Sequence, residues 1–355
     1  MNDDSLIEDR LLYSPITELR RSDNYEDFLA KQHEWIECLR GDDPNSINNQ
    51  VTNMIWDAGA YRMVNEARSH AERNEQGDLK QNGMVHCLLD KCFFESQMAA
   101  VRRQMDTYGL TGERGTYSLN DLLDDMIRNM SLLTRGNYFT AEKRKWDTKL
   151  VREMRERWRL ERVGKGAVEV PEECDFVLDE ERHQIMDMLC DVPPDQRSAE
   201  DTVREEVLQN LKSRLNKECD LIKKQVNQYL AHCATPESRR RPGQEEAKAT
   251  IGHMWEAHKV ICEVMNFVSI YLLTGNVAYQ FLPISPFDPL KYFDEPLIPS
   301  VSMPEIREAW KNYRSEIESW EGYGPDELLR EIGTQSDDIG LNSITANPSQ
   351  IEEQS

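Results

Sequence analysis

The chain has 355 residues, of which 39% are hydrophobic and 30% charged, and its formal net charge is −22. That length suits one large core, or two modest domains with some tail left over. The charge excludes a general nucleic-acid coat, because coating phosphate requires concentrated positive charge. No apolar run approaches the roughly 20 residues that a membrane span needs; the nearest, Val260 to Leu273, is interrupted by Glu263 and Asn266. The opening MNDDSLIEDR is acidic and lacks a hydrophobic signal core, so a cytoplasmic protein is expected. The eight cysteines are scattered and form no CxxC pair, which points to reduced, half-buried thiols and not to a zinc ribbon or a disulfide scaffold.

Helical signals dominate the chain. Tyr25 to Leu39 follows Asn24 as a short amphipathic helix, and Asn48 to Asn74 carries Met54, Ile55, Ala58, Tyr61, Met63 and Val64 at near-helical spacing. A longer stretch, Met84 to Asp106, repeats apolar residues every three to four positions and runs into the turn-rich Asp106-Thr-Tyr-Gly-Leu-Thr-Gly. Ser118-Leu-Asn-Asp reads as an N-cap with an acid at N3. From Lys143 to Lys165 there are ten Lys or Arg against four acids, with Trp146, Leu150, Met154 and Trp158 four apart. Such a stripe usually faces protein, although tryptophans beside arginines can also hold RNA. From Glu169 to Glu206 the balance reverses, with fourteen acids against three bases. The two segments can neutralise each other or meet separate partners, and mutual neutralisation or solvation is the default.

The span 145–200 therefore reads as a charged insertion holding one short helix near 179–190. A strong helix begins at Ser198 or Asp201, carries Val207, Leu208, Leu211, Leu215, Ile222, Val226, Tyr229 and Leu230, and ends near His232. Another spans about Glu245 to Thr274 and stops at Gly275. Phe281 to Pro304 holds six prolines, which rules out regular helix and suggests a segment wrapped on the body through Phe287, Tyr292 and Phe293. A helix from Met303 to about Trp320 follows, and the acidic, polar chain from Gly322 reads as a disordered tail.

The chemistry that draws attention lies around His232. Asn227-Gln-Tyr-Leu-Ala-His232 closes a helix, and a loop containing Arg239, Arg240 and Arg241 follows. A histidine at a helix C-terminus feels the negative end of the macrodipole, which favours its protonated form. It can then trade a proton near neutral pH, as RNA cleavage through the 2′-oxygen requires, while arginines hold the phosphate. A plain capping role is the default for a histidine so placed. Arg102, Arg103 and Asp106 have a similar default, the salt-bridged end of a packed helix. His253 and His258 lie five apart, and His86, Cys87 and Cys92 scatter around their helix, so neither set shares a metal-binding face. No metal and no cofactor is expected, and the glycines lack nucleotide-cradle spacing.

Three stretches carry a resemblance. Phe94-Glu-Ser-Gln-Met-Ala-Ala-Val-Arg-Arg-Gln-Met-Asp106, the following Ser118-Leu-Asn-Asp-Leu-Leu-Asp-Asp-Met and Tyr229-Leu-Ala-His232 resemble, in that order, segments of the Abi U-like branch of the HEPN superfamily. These are helical proteins of prokaryotic phage defence and toxin–antitoxin systems. The resemblance covers roughly residues 50 to 295, interrupted over about 145 to 200. It implies a HEPN-like helical bundle acting as a homodimer, and metal-independent endoribonuclease (RNase) activity with the site formed across the two copies. His232 matches the family's histidine and is the implied proton-transfer residue, with Asn227 as its polar neighbour. Arg239, Arg240, Arg241, Lys223 and Lys224 are the RNA-binding candidates.

The chain departs from the family at one point. The motif places an arginine before the histidine with four to six residues between them, and the three such positions here are Gln225, Val226 and Asn227. A missing guanidinium removes the group expected to stabilise the phosphate in flight, a contribution that is often the largest in catalysis. The alternative is a catalytically inactive HEPN-fold body that engages a protein partner, such as an antitoxin or effector. The expected organisation is all-α: an N-terminal helical extension over 1–47, a HEPN-like domain over 48–280, a Pro-rich wrap and short helix over 281–321, and an acidic tail over 322–355.

Overall fold

The computed structural model describes residues 23–77, 83–113, 115–144, 146, 176–230, 248–273, 281–282, 288–291, 293 and 303–321. Among them are nine α-helices: α1 (Tyr25–Arg40), α2 (Ile47–Ser69), α3 (Gly83–Arg103), α4 (Leu119–Arg128), α5 (Arg135–Ala141), α6 (Phe176–Cys190), α7 (Glu205–Gln225), α8 (Ile251–Phe267) and α9 (Met303–Glu321). The described residues contain no β-strand, only an isolated antiparallel bridge between Thr134 and Thr202. The all-α expectation holds. No described helix is long and apolar enough to cross a membrane.

The apolar spacing of α7 explains its central place. Val207, Leu208, Leu211, Leu215, Cys219 and Ile222 recur every three to four residues, and all are buried. They face α8, whose Met254, Ala257, Ile261 and Met265 are buried in the same core. The two helices run antiparallel: Arg214 pairs with Glu263, and near the other end Gln225 Oε1 accepts the Ala249 amide. Thr250 sets the start of α8. It sits in extended backbone, its hydroxyl accepts the His253 amide, and the His253 ring accepts the Thr250 amide, a reciprocal cap that begins the helix at Ile251 and not near 245. Both α7 and α8 end in a five-residue π turn, Val226–Leu230 and Val268–Leu272.

The α1 segment belongs to this core as fully as the later helices do. Phe28 and Trp35 are completely buried, and the Trp35 indole donates to Asp125 of α4 at 2.8 Å. Residues 176–200, part of the span read as a charged insertion, are built into the body too: Met186 and Leu189 of α6 are buried in it. At the opposite side α9 lies on α2, where Gly59 permits a close approach. A Cβ at Gly59 would stand 2.7 Å from the Tyr313 ring, whose hydroxyl donates to the Ile55 carbonyl at 2.9 Å. Of the Pro-rich wrap, Phe281, Leu282 and Leu290 are buried. Phe287 and Tyr292 lie outside the described residues, as does the tail from 322.

Candidate functional site

The end of α3, the loop behind it and the end of α7 converge at one corner. Ser118 caps α4 as its sequence suggests, its Oγ accepting the Asp121 amide at 3.0 Å. Asp121 does not complete a capping box. It is spent on the loop, with Oδ1 taking the Gly109 amide and Oδ2 the Thr116 hydroxyl, each at 2.9 Å. The Asp106 carbonyl takes the Ser118 hydroxyl and the Asn120 side-chain amide. Gly109 and Gly112, at φ +89° and +95°, supply the left-handed turns that this loop needs. The stretch 104–121 is therefore held rigidly against the start of α4.

Arg102 and Asp106 form the ion pair that an i, i+4 spacing allows, at 2.9 Å. Arg102 does a second thing that no local pattern reveals. Its Nε donates at 3.3 Å to Oδ1 of Asn227, 125 positions away on the π turn ending α7. Lys223, one turn earlier, donates at 3.0 Å to the Met105 carbonyl. The two ends of the resemblance, the Arg-Arg stretch and the stretch leading to His232, thus meet through side chains. Burial pushes the Asp106 carboxyl above the ordinary aspartate range, aided by nearby Asp121, against the opposing pull of Arg102, Lys223 and Arg103.

The predicted site residues divide. Asn227 and Lys223 belong to this corner. Lys224 does not; its side chain is 59% exposed and pairs with Asp220 on its own helix. His232, Arg239, Arg240 and Arg241 lie outside the described residues. Of the positions where the family motif would put arginine, Gln225 is committed to Ala249 and Val226 is buried, which leaves Asn227 as the polar group beside Arg102. The basic span 143–165 is described only at Lys143, Arg144 and Trp146, and Trp146 packs edge-on against Phe139.

Arg103, next to Arg102, faces a different environment. It is exposed and lines an open depression of about 460 Å³, together with Asp43, Asn45, Asp106, Thr111 and Tyr117. Its guanidinium makes no hydrogen bond or ion pair with any described residue. Gln50 braces the rim, donating to the carbonyls of Asn45 and Tyr117 while its own oxygen accepts from Gln104.

A second basic cluster lies between α5 and α6. Arg135 is fully buried; its Nε donates to Asp201 and its Nη1 to Asp187, each at 2.9 Å. Arg197 also grips both oxygens of Asp187. Arg182 faces Glu142 at 2.8 Å and covers the Tyr138 ring. Elsewhere, His253 serves as a cap, and His258 is fully buried with neither ring nitrogen bonded to a described group; burial drives its pKa down to about 3. His86 accepts from Arg68 at 2.8 Å, and burial, then the Arg68 charge, holds its pKa below the ordinary value. Among the described residues no three His, Cys, Asp or Glu side chains are grouped as a metal would require.

Comparison of the chain with protein-family models, with curated proteins and with solved structures finds no match.

Proposed function

We propose that this is a HEPN-like protein of prokaryotic defence or toxin–antitoxin type that acts on RNA as a metal-independent endoribonuclease. The observation that carries the reading is the bond between Arg102 and Asn227. It draws together two of the sequence stretches that resemble the family, and it sets a guanidinium beside the helix end that the family uses. His232 follows Leu230 by two residues and is the proton-transfer group in this reading. Arg102 supplies, from α3, charge that α7 lacks, and its Nη2 has no partner among the described residues. A guanidinium suits the role better than lysine because its flat fork matches phosphate oxygens. Arg239, Arg240 and Arg241 are auxiliary phosphate contacts, and the working form is a homodimer.

The test is incubation of RNA with wild type and His232→Ala in the presence of a chelator. Cleavage should persist without metal and fall about 100-fold or more in the variant, the usual scale for losing a proton-transfer group. Light scattering should report a dimer. RNA left intact and unbound by the wild-type protein would sink the reading.

A second reading has its own observation. Asp106 already pairs with Arg102, and Gln225 and Val226 are committed to structure, so the corner is partly self-satisfied. A HEPN-like body kept for binding, engaging RNA or an antitoxin-type protein without cleaving, fits that arrangement. RNA that is bound but never cut identifies it.

A further inference from the structure

Arg103 stands apart from most other arginines described. Arg62, Arg68, Arg102, Arg128, Arg135, Arg197 and Arg214 each reach a carboxylate, whereas Arg103 projects from the end of α3 and reaches none. In a chain of net charge −22, long-range attraction works against RNA, so any contact with phosphate must come from a few locally unspent cations.

What surrounds Arg103 suits more than a phosphate. Oδ1 of Asp43 accepts the Asn45 amide at 2.7 Å, while Oδ2 and the side-chain amide of Asn45 have no partner among the described residues. Between them they offer acceptors and donors on one wall, as the edge of a nucleobase requires. The volume, about 460 Å³, falls in the range of roughly 300–1,000 Å³ typical of small-ligand sites. Tyr117 lines the wall, and Tyr108, 56% exposed, stands in the same loop; unpaired bases stack on such rings. Gln50 and Asp121 hold the rim in place before anything binds, which lowers the ordering cost.

We propose that this depression receives one unpaired nucleotide of an RNA strand, with Arg103 on its phosphate and Asp43 and Asn45 on its base edge. The inference rests on the RNA reading above and deepens it, since the depression shares Asp106 with the Arg102–Asn227 corner. A base stacked inside a duplex cannot enter, so single strands are the class selected.

The experiment is fluorescence anisotropy of a labelled single-stranded RNA 12-mer and of its duplex, titrated with the full chain. Arg103→Ala should weaken single-strand binding about tenfold and lower the salt slope by about 0.7, the value for one lost phosphate contact on a single strand. Asn45→Ala should narrow the preference among base compositions. Lys224→Ala, a change at an exposed and locally paired lysine, should leave binding as it was. Because Arg103 is exposed and bonded to nothing described, its loss should not shift the unfolding midpoint, which separates a binding defect from misfolding. Wild-type binding that is untouched by Arg103→Ala, or that favours the duplex, would overturn the subsite and leave the RNA reading standing. No binding of either RNA by wild type would overturn both.

Discussion

Arg135 and Arg103 illustrate two ways of placing the same side chain. Arg135 is sealed between α5 and α6, where Asp187 and Asp201 compensate its charge and the His183 carbonyl adds a bond. Arg103 stands at a rim with no described partner, over a depression large enough to receive a ligand. A guanidinium taken out of water must be matched where it lies, so the first arrangement is committed to the fold. One left in water keeps its donors for something else. Arg102 is intermediate: its side chain is 26% exposed and it is bound on two sides, with one nitrogen unspent. The difference teaches that burial and pairing, not the count of arginines, separate structural charge from charge that can act.

The largest expected effect breaks the buried side of the comparison. Arg135→Met leaves Asp187 and Asp201 without their shared cation and should cost about 3–5 kcal/mol, read from urea unfolding. A loss under about 1 kcal/mol would mean that Arg197 alone suffices, and that the two corners differ less than their geometry suggests. The next effect concerns a buried base kept neutral. His258 has its folded pKa depressed to about 3, well below that of an unfolded histidine. Between the two values the unfolded chain binds the extra proton, so stability is full above about pH 6.5 and falls as pH drops toward 3. Its contribution to the slope is about 1.4 kcal/mol per pH unit. His258→Phe should flatten the pH dependence by that amount, and equal slopes in both proteins would refute the assignment. The smallest effect tests the exposed side. Arg102→Ala should cost at most about 1 kcal/mol, as a half-exposed pair does. A penalty as large as that of Arg135→Met would make this corner a structural latch and remove support for its role with RNA.

Much of the fold is legible in the sequence, and the reasons for the exceptions are physical. The apolar periodicities locate α2, α3 and α9 to within a few residues, and Ser118 announces α4. The start of α7 is misjudged, since Ser198 and Asp201 resemble caps but Asp201 is spent on Arg135 and the helix opens only after Arg204. The acidic stretch reads as decoration because its neutralising partner, Arg135, lies 52 positions from Asp187 and is seen only once the chain has folded. For the same reason α1 looks like an extension until Trp35 is found bonded to Asp125. At the candidate site, Asn227 and Lys223 are legible from the helix end that they occupy. The meeting of Arg102 with Asn227 is not, apart from the order of the family-like segments, and nothing in the sequence distinguishes Arg103 from its neighbour.

The π turns that close α7 and α8 carry one more consequence. Each widens the coil, so a side chain counted onward from Gln225 or Phe267 by the usual 3.6 step is assigned to the wrong flank. Deleting one residue from Val226–Leu230 would restore the tighter winding and swing everything after it by roughly 100°. Replacing a residue there changes a contact, whereas shortening the stretch re-aims whatever comes next. Across relatives of this chain, length at that point should be kept more strictly than identity.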